Sequence, residues 1–329
     1  MLGFDSKFRD FPDYIIGITK EIWEDRGIAT LHQYYGDEIV VRSPASVVLG
    51  NENVIGATMA TLAEFPDRAL LGEDVIWCGT PEEGLLSSHR IISTATHTGD
   101  GMYGKATGKK LQYRILADCH AINNQINDEW LIRDQGAIVR QMGWEPKAYA
   151  ADLIAREGGP KACVQPLTPA NDRTGPYTGR GNDNPWGQRH AEILTRIMGA
   201  DMTAIEETYD RAAQVEYPGG FTGHGWGAAD RFWMGLRAAF PKATFTLHHQ
   251  IGRDDPMMPP RSALRWSLHG KHEGWGAFGT PTGAEVYILG ISHAEFGALV
   301  GGEVKLRREF TLFDETAVWK QILLQTELA

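Results

Sequence analysis

The sequence predicts two tandem α+β domains, and three observations carry that expectation. A set of residues recurs at a fixed displacement of 175: His97, Gly99, Gly101, Gly104, Thr107 and Gly108 reappear as His272, Gly274, Gly276, Gly279, Thr282 and Gly283. Each copy opens with helical periodicity, and each then changes to strand-like alternation. Helices followed by a run of strands, rather than alternating strand and helix, imply helices packed on one face of a curved, mostly antiparallel sheet.

The repeat extends beyond one glycine-rich loop. Met59, Phe65, Pro66 and Arg90 match Met234, Phe240, Pro241 and Arg265, and seven of the 19 positions from Arg90 to Gly108 are identical in the two copies. So long a period excludes solenoids and propellers, whose units run to roughly 20 to 50 residues, and leaves each copy large enough for its own core.

In the first copy Ile15, Ile18 and Ile22 fall on one helical face behind Pro12 and Asp13, which supply a start signal. Ile193, Leu194, Ile197 and Met198 are the counterparts. A second helix follows Asn51, with Ile55, Met59 and Leu62 on one face until Phe65 and Pro66 stop it; Phe232, Leu236 and Phe240 with Pro241 repeat the pattern. Strand sequence is expected over 85–98, 110–122 and 130–142, and over 263–272, 284–295 and 304–322. Leu264, Trp266 and Leu268 alternating with Arg265, Ser267 and His269 are the plainest case.

Between the copies, Pro146 to Pro185 is rich in Pro, Gly, Asn and Asp. A short helix is expected over 147–157, ended by Gly158, Gly159 and Pro160, and irregular structure over 168–184. The expected organisation is a first domain over 1–145, a linker or lid over 146–185, and a second domain over 186–329.

Composition narrows the function classes. With 42% hydrophobic and 22% charged residues the chain reads as globular. A formal net charge of -10, without a Lys/Arg stripe, disfavours nucleic acid, and a small hydrophobic or aromatic ligand fits better. Cys78, Cys119 and Cys163 lack CxxC spacing, which argues for a reducing compartment. Neither a signal sequence over Met1–Asp13 nor an 18-residue apolar run is visible, so no membrane association and a cytoplasmic location are expected.

The richest local signal is the stretch from Leu116 to Met142. Asn123, Asn124, Asn127 and Asp128 supply turn chemistry, and a hairpin centred near Asn127 sets His120 opposite Asp134, with Asp118 on the same face. Directly paired residues have Cβ atoms about 4.5 to 5.5 Å apart, so imidazole and carboxylate would meet. Buried on the concave face, the carboxylate would be pushed toward a range useful for proton transfer; on an exposed face the same pair is an ordinary cross-strand contact.

The run from Trp130 to Gly143, WLIRDQGAIVRQMG, resembles the closing segment of SnoaL-like polyketide cyclases. The pattern His97-Thr98-Gly99, Gly104 and Ala106-Thr107-Gly108 is similar to the family's His-x-Gly, Gly and Pro-Thr-Gly, and Phe65-Pro66-Asp67 matches its Phe-Pro-Asp. These motifs span most of residues 14–143. The resemblance implies the nuclear transport factor 2-like fold, a cone-shaped α+β barrel around a deep pocket. It also implies aldol ring closure, or a related isomerase or lyase reaction, with an Asp acid/base and a nearby His and without metal or organic cofactor. Those roles fall on Asp134 and His120, with Asp118, Arg90 and His97 as candidate substrate-binding residues. A non-catalytic binding or assembly module of the same fold is the alternative.

The second copy keeps counterparts in His293, Asp314 and Arg265, but His293 and Asp314 are 21 residues apart against 14 in the first copy. A turn at Gly301–Gly302 would set His293 opposite Phe310 and leave Asp314 roughly 13 Å further along the strand. The second copy therefore reads as degenerate or structural, the two copies forming an intramolecular pseudo-dimer with further homodimerisation open. His248, His249, His269 and His272 lack the partners of a metal site, and Gly101–Lys110 departs from the phosphate-loop pattern, so neither metal nor nucleotide is expected.

Overall fold

The computed structural model describes residues 1–298 and 302–326. In the first module, helix α1 (Phe11–Thr19) starts where the Asp10 carboxylate accepts the Asp13 N–H at 2.8 Å, with Pro12 in the first turn. It runs on through a π-helical turn at Lys20–Glu24, so Ile15, Ile18 and Ile22 are buried together. A short helix α2 (Leu31–Tyr34) leads into β1 (Tyr35–Ser43) and β2 (Ser46–Leu49), and α3 (Asn51–Glu64) ends at Phe65. Strands β3 (Ala69–Thr80), β4 (Gly84–Thr96), β5 (Lys110–Ile122) and β6 (Gln125–Arg133) complete a six-stranded sheet ordered β2-β1-β6-β5-β4-β3, with β1 and β6 parallel.

Helices α4 (Gln135–Met142) and α5 (Pro146–Arg156) follow. The second module repeats the plan: α6 (Pro185–Met198), α7 (Thr203–Thr208), β7 (Tyr209–Tyr217), β8 (Phe221–His224), α8 (Trp226–Ala239), β9 (Thr244–Arg253), β10 (Arg261–Lys271), β11 (Glu285–Ala298), β12 (Val304–Leu312) and α9 (Glu315–Thr326). Its sheet order is β8-β7-β12-β11-β10-β9. The fold is thus α+β with two repeated, mixed but mostly antiparallel sheets wrapped by helices. Each sheet is open, not a closed barrel.

Two expected strands end early. Over 130–142 the chain leaves the sheet after Arg133, because the Asp134 carboxylate accepts the Ala137 N–H at 2.9 Å and starts a helix there. Asp314 does the same for α9 through the N–H groups of Thr316 and Ala317. Strand alternation also leaves β1 to β3 and β7 to β9 unmarked.

The sheets pack face to face through an unusually polar layer. Leu116 and Ile132 of the first sheet meet Leu289, Ile291 and Leu312 of the second. Around them, Arg265 donates to Asp118 at 2.9 Å while lying 3.5 Å from the Trp130 ring, Arg261 reaches Asp74 at 2.6 Å, and Arg90 bridges Glu73 and Glu295 at 3.1 and 3.2 Å. Ser88 Oγ and His293 Nε2 are 2.8 Å apart. Such charges are tolerable in a buried layer because each has a partner.

The segment after α5 straps the modules together. Asp172 pairs with Arg42 at 2.7 Å, the Tyr177 N–H donates to Asp128 at 3.0 Å, and Tyr177 Oη lies 2.6 Å from His249 Nε2. Gly181 then bridges to Gln250 on β9.

Candidate active site

Register decides which side chains meet. Asn123 and Asn124, at φ 50° and 66°, form a two-residue turn, and β5 pairs with β6 so that His120 faces Asp128, Cys119 faces Glu129 and Asp118 faces Trp130. The expected contact of His120 with Asp134 does not form. Asp134 lies beyond the end of β6, and its two oxygens also accept the N–H groups of Gly219 and Gly220 at 2.8 and 2.9 Å, so it clamps the second module's β7–β8 turn. His120 bonds Asn127 through Nδ1 at 2.6 Å, and its ring centroid lies 4.7 Å from that of Tyr177.

The other expected residues are placed by the same alternation. Asp118, His120 and Arg90 sit on the face turned to the second sheet, and Arg265 and His293 on the facing side of that sheet, all held in the contacts described above. His293 faces Phe310 in the ladder, as the spacing suggested, while Gly301 of the expected turn lies outside the described residues. His97 is fully buried and braces the glycine-rich loop: Nε2 is 3.1 Å from Glu64 and Nδ1 is 3.1 Å from Thr107, and Glu64 in turn accepts the N–H groups of Met102 and Tyr103. Among the described residues no group of three or more His, Cys, Asp and Glu is arranged to hold a metal ion.

The opposite face of the first sheet encloses a hollow. A cavity of about 550 Å³ runs between α3, the β1–β2 turn and the loop at Asp100–Tyr103, and it shares Trp23, Tyr35, Arg68, Glu129, Leu131 and Arg133 with a deeper chamber of about 70 Å³. Glu129, Leu131 and Arg133 point inward because they alternate with Asp128, Trp130 and Ile132. Burial pushes the Glu129 carboxyl up to about 7, with the Tyr35 hydroxyl hydrogen-bonded to it and pulling the other way. His89 lines the same chamber, and burial lowers it to about 4, so its imidazole is neutral at pH 7. Ser87 Oγ is 3.1 Å from His89 Nδ1.

At the far end stand Arg68, Arg133 and Tyr113. Burial alone would raise the Tyr113 phenol, but Arg68 and Arg133, with Ser93, hold it below its usual value. From the second module, Asp314 reaches the cavity wall, its carboxyl pushed up to about 6 by burial.

Sequence reasoning missed Glu129, His89, Arg68, Arg133 and Tyr113. The available signal was the Asn123-Asn124 dipeptide: taken as a two-residue turn, it moves the hairpin centre away from Asn127, and a bulge between His120 and Ala121 then sets Asp128, not Asp134, opposite His120 and Glu129 opposite Cys119.

Residues 14–142 match the model of the SnoaL-like polyketide cyclase family. The match lies within the first module. No curated protein matches the chain at a significant level. Among solved structures, the chain is similar to a polyketide cyclase described as putative, IdmH from Streptomyces antibioticus, at 21% identity over 40% of this chain and 98% of that one, with a TM-score of 0.35. A putative SnoaL-like polyketide cyclase from Jannaschia sp. CCS1 aligns at 16% identity over 43% and 96%, TM-score 0.34. A nuclear transport factor 2-like protein from Salmonella enterica aligns at 13% over 39% and 87%, TM-score 0.32. Each of these spans about one module of this chain. Among the described residues no helix is long and apolar enough to cross a membrane.

Proposed function

We propose that the chain is a cyclase or isomerase-type enzyme whose first module performs proton transfer on a hydrophobic carbonyl compound, with Glu129 as the acid/base. The observation that carries this reading is a buried carboxyl with a pKa of about 7, set in the wall of a cavity large enough for a polycyclic ligand. The SnoaL-like match over the same module supports the reaction class.

In this mechanism the Glu129 carboxylate removes a proton α to a carbonyl. The carbon so freed attacks a second carbonyl of the same molecule, the new C–C bond closes the ring, and the resulting alkoxide takes the proton back from Glu129. The neutral His89, donating from Nε2 when Ser87 donates to Nδ1, stabilises charge developing on the enolate oxygen, while the Tyr35 hydroxyl holds the Glu129 carboxylate in place. No step is assigned to a metal or an organic cofactor.

The second module is assigned the supporting role of a fixed, internal partner. A cytoplasmic location rests on the three buried, unpaired cysteines.

The test is exchange of α-protons for deuterium in aromatic β-keto esters, followed by NMR in D₂O. Wild type should catalyse exchange, and Glu129→Gln should lose it by roughly 10²- to 10⁴-fold, the usual range for a general base. Undiminished exchange in a folded Glu129→Gln protein would remove Glu129 from the mechanism.

A further inference from the structure

The two arginines of the hollow, Arg68 buried and Arg133 half-buried, differ from the arginines between the sheets. In the layer between the sheets Arg42, Arg90, Arg261 and Arg265 are each ion-paired to a carboxylate. Arg68 and Arg133 have no ion-pair partner among the described residues. Arg68 donates weakly to Ser93 Oγ at 3.4 Å and contacts Tyr113. Arg133 contacts the Tyr103 hydroxyl, feels Asp314 only at longer range, and keeps a buried Nε with nothing to bond. Both guanidiniums line the cavity, and they lie close enough for each to sense the other's charge. Two neighbouring cations on one cavity wall, Arg68 buried and Arg133 half-buried, with no carboxylate paired to either, form a site short of one anion.

The duplicated module shows that the fold itself does not need them. Arg68 corresponds to Ala243 by the displacement of 175. Around β6 and β12 the displacement is 180, since Val41 faces Glu129 as Val215 faces Glu309, and there Arg133 corresponds to Phe313. Tyr113 corresponds to Ile288, and all three replacements are buried. The cationic pair exists only in the module that has the hollow.

We infer that Arg68 and Arg133 form a carboxylate-binding subsite, and that the ligand of the first module is an acid: an aromatic or polycyclic skeleton lying on Trp23, Phe65 and Leu131, with one carboxylate seated between the two guanidiniums. A planar guanidinium fork matches a carboxylate in two parallel hydrogen bonds, and both arginines stand on the cavity wall. Glu129 and Arg133 are four residues apart on β6, roughly 13 Å along the strand. The acidic carbon and the carboxylate are therefore at opposite ends of the ligand, and the acid anchors it without entering the reaction. This inference rests on the first module's hollow being the functional site.

The experiment compares 2-naphthoate, methyl 2-naphthoate and 2-naphthyl phosphate on the full chain by thermal shift and calorimetry. The acid should stabilise the wild type in a concentration-dependent way and bind at least 10-fold more tightly than the ester. Arg133→Gln and Arg68→Gln should each remove that preference, bringing the acid-to-ester affinity ratio to about 1. Equal binding of acid and ester by the wild type overturns the subsite whether or not any variant folds, as does unaltered acid preference in both folded variants. Tighter binding of the phosphate than of the carboxylate overturns the assigned class. Acid binding without any deuterium exchange would leave the subsite standing and sink the catalytic reading, so the two failures are distinguishable.

Discussion

At the centre of the first sheet Ile91 faces Ile115 across the β4–β5 ladder; at the equivalent point of the second, Trp266 faces Gly290. The glycine is required there, since a Cβ at Gly290 would lie 2.2 Å from the indole. The same substitution of bulk recurs around it. Ser43, Ala57 and Thr58 of the first cavity wall correspond to Tyr217, Phe232 and Trp233, whose rings pack with Tyr217 and Phe232 stacked at 3.7 Å. Even the acid is repeated, but Glu309 accepts the hydroxyls of Tyr209 and Tyr217 at 2.9 and 2.6 Å and of Thr311 at 3.2 Å. One scaffold has thus been kept hollow with a lightly bonded acid, and its copy has been filled until the acid became a structural anchor.

The sharpest way to break this contrast is to give the first module the second one's filling. Ile91→Trp with Ile115→Gly recreates the Trp266–Gly290 pair inside the chamber and should abolish both ligand-induced stabilisation and deuterium exchange. Overpacking and a glycine in a strand should together cost only about 2 to 4 kcal/mol of stability. The reverse opening, Trp233→Thr in the second module, should cost about 3 to 5 kcal/mol because a fully buried indole leaves a void, yet should leave exchange intact. Urea unfolding and the exchange assay read both. Activity surviving the filled first module would move the site elsewhere.

A smaller effect separates the two acids by pH. Glu129 is raised by burial from 4.5 to about 7, so the folded state holds its proton more tightly than the unfolded chain. Its stabilising contribution is complete below pH 4.5 and is lost as pH rises through 7, a swing of about 3 kcal/mol. Glu129→Gln should therefore flatten the fall in stability between pH 4 and 8 by about that amount. Because the carboxylate form is the base, wild-type exchange should rise with pH through an apparent pKa near 7. Parallel stability profiles for wild type and Glu129→Gln would place that carboxyl in contact with water and weaken its assignment.

What the sequence revealed follows from which signals are local. The duplication, the helices behind Pro12–Asp13 and Asn51, their stops at Phe65 and Phe240, and the pairing of His293 with Phe310 rest on spacing and short-range chemistry. The family likeness was carried by Phe65-Pro66-Asp67 and the glycine-rich loop, whose His97–Glu64 brace lies within the matched module. The resemblance implied a pocket, but its lining was not legible, because which side chains face a cavity is set by register. A bulge between His120 and Ala121, together with a turn at Asn123–Asn124, shifts β6 so that Glu129 and Arg133 face inward. The filling of the second module was written in the sequence as Trp233, Trp266 and Gly290, but only the ladder shows that the last two face each other.

The smallest expected effect concerns Asp134, the residue that the hairpin spacing favoured. Its carboxylate accepts the N–H groups of Ala137, Gly219 and Gly220, starting α4 and holding the neighbouring module's turn. An asparagine keeps one acceptor oxygen and turns an NH₂ toward one of those N–H groups, so Asp134→Asn should lose about 1 to 2 kcal/mol. Part of that loss is offset at neutral pH, since burial already raises the Asp134 carboxyl to about 6 and makes its charge costly there. Exchange activity should stay within about 2-fold of wild type, because a positioned general base lost from the reaction would cost at least roughly 10²-fold. A folded Asp134→Asn protein with a 100-fold loss, beside a fully active Glu129→Gln, would return the chemistry to the joint between the modules and make the hollow a bystander.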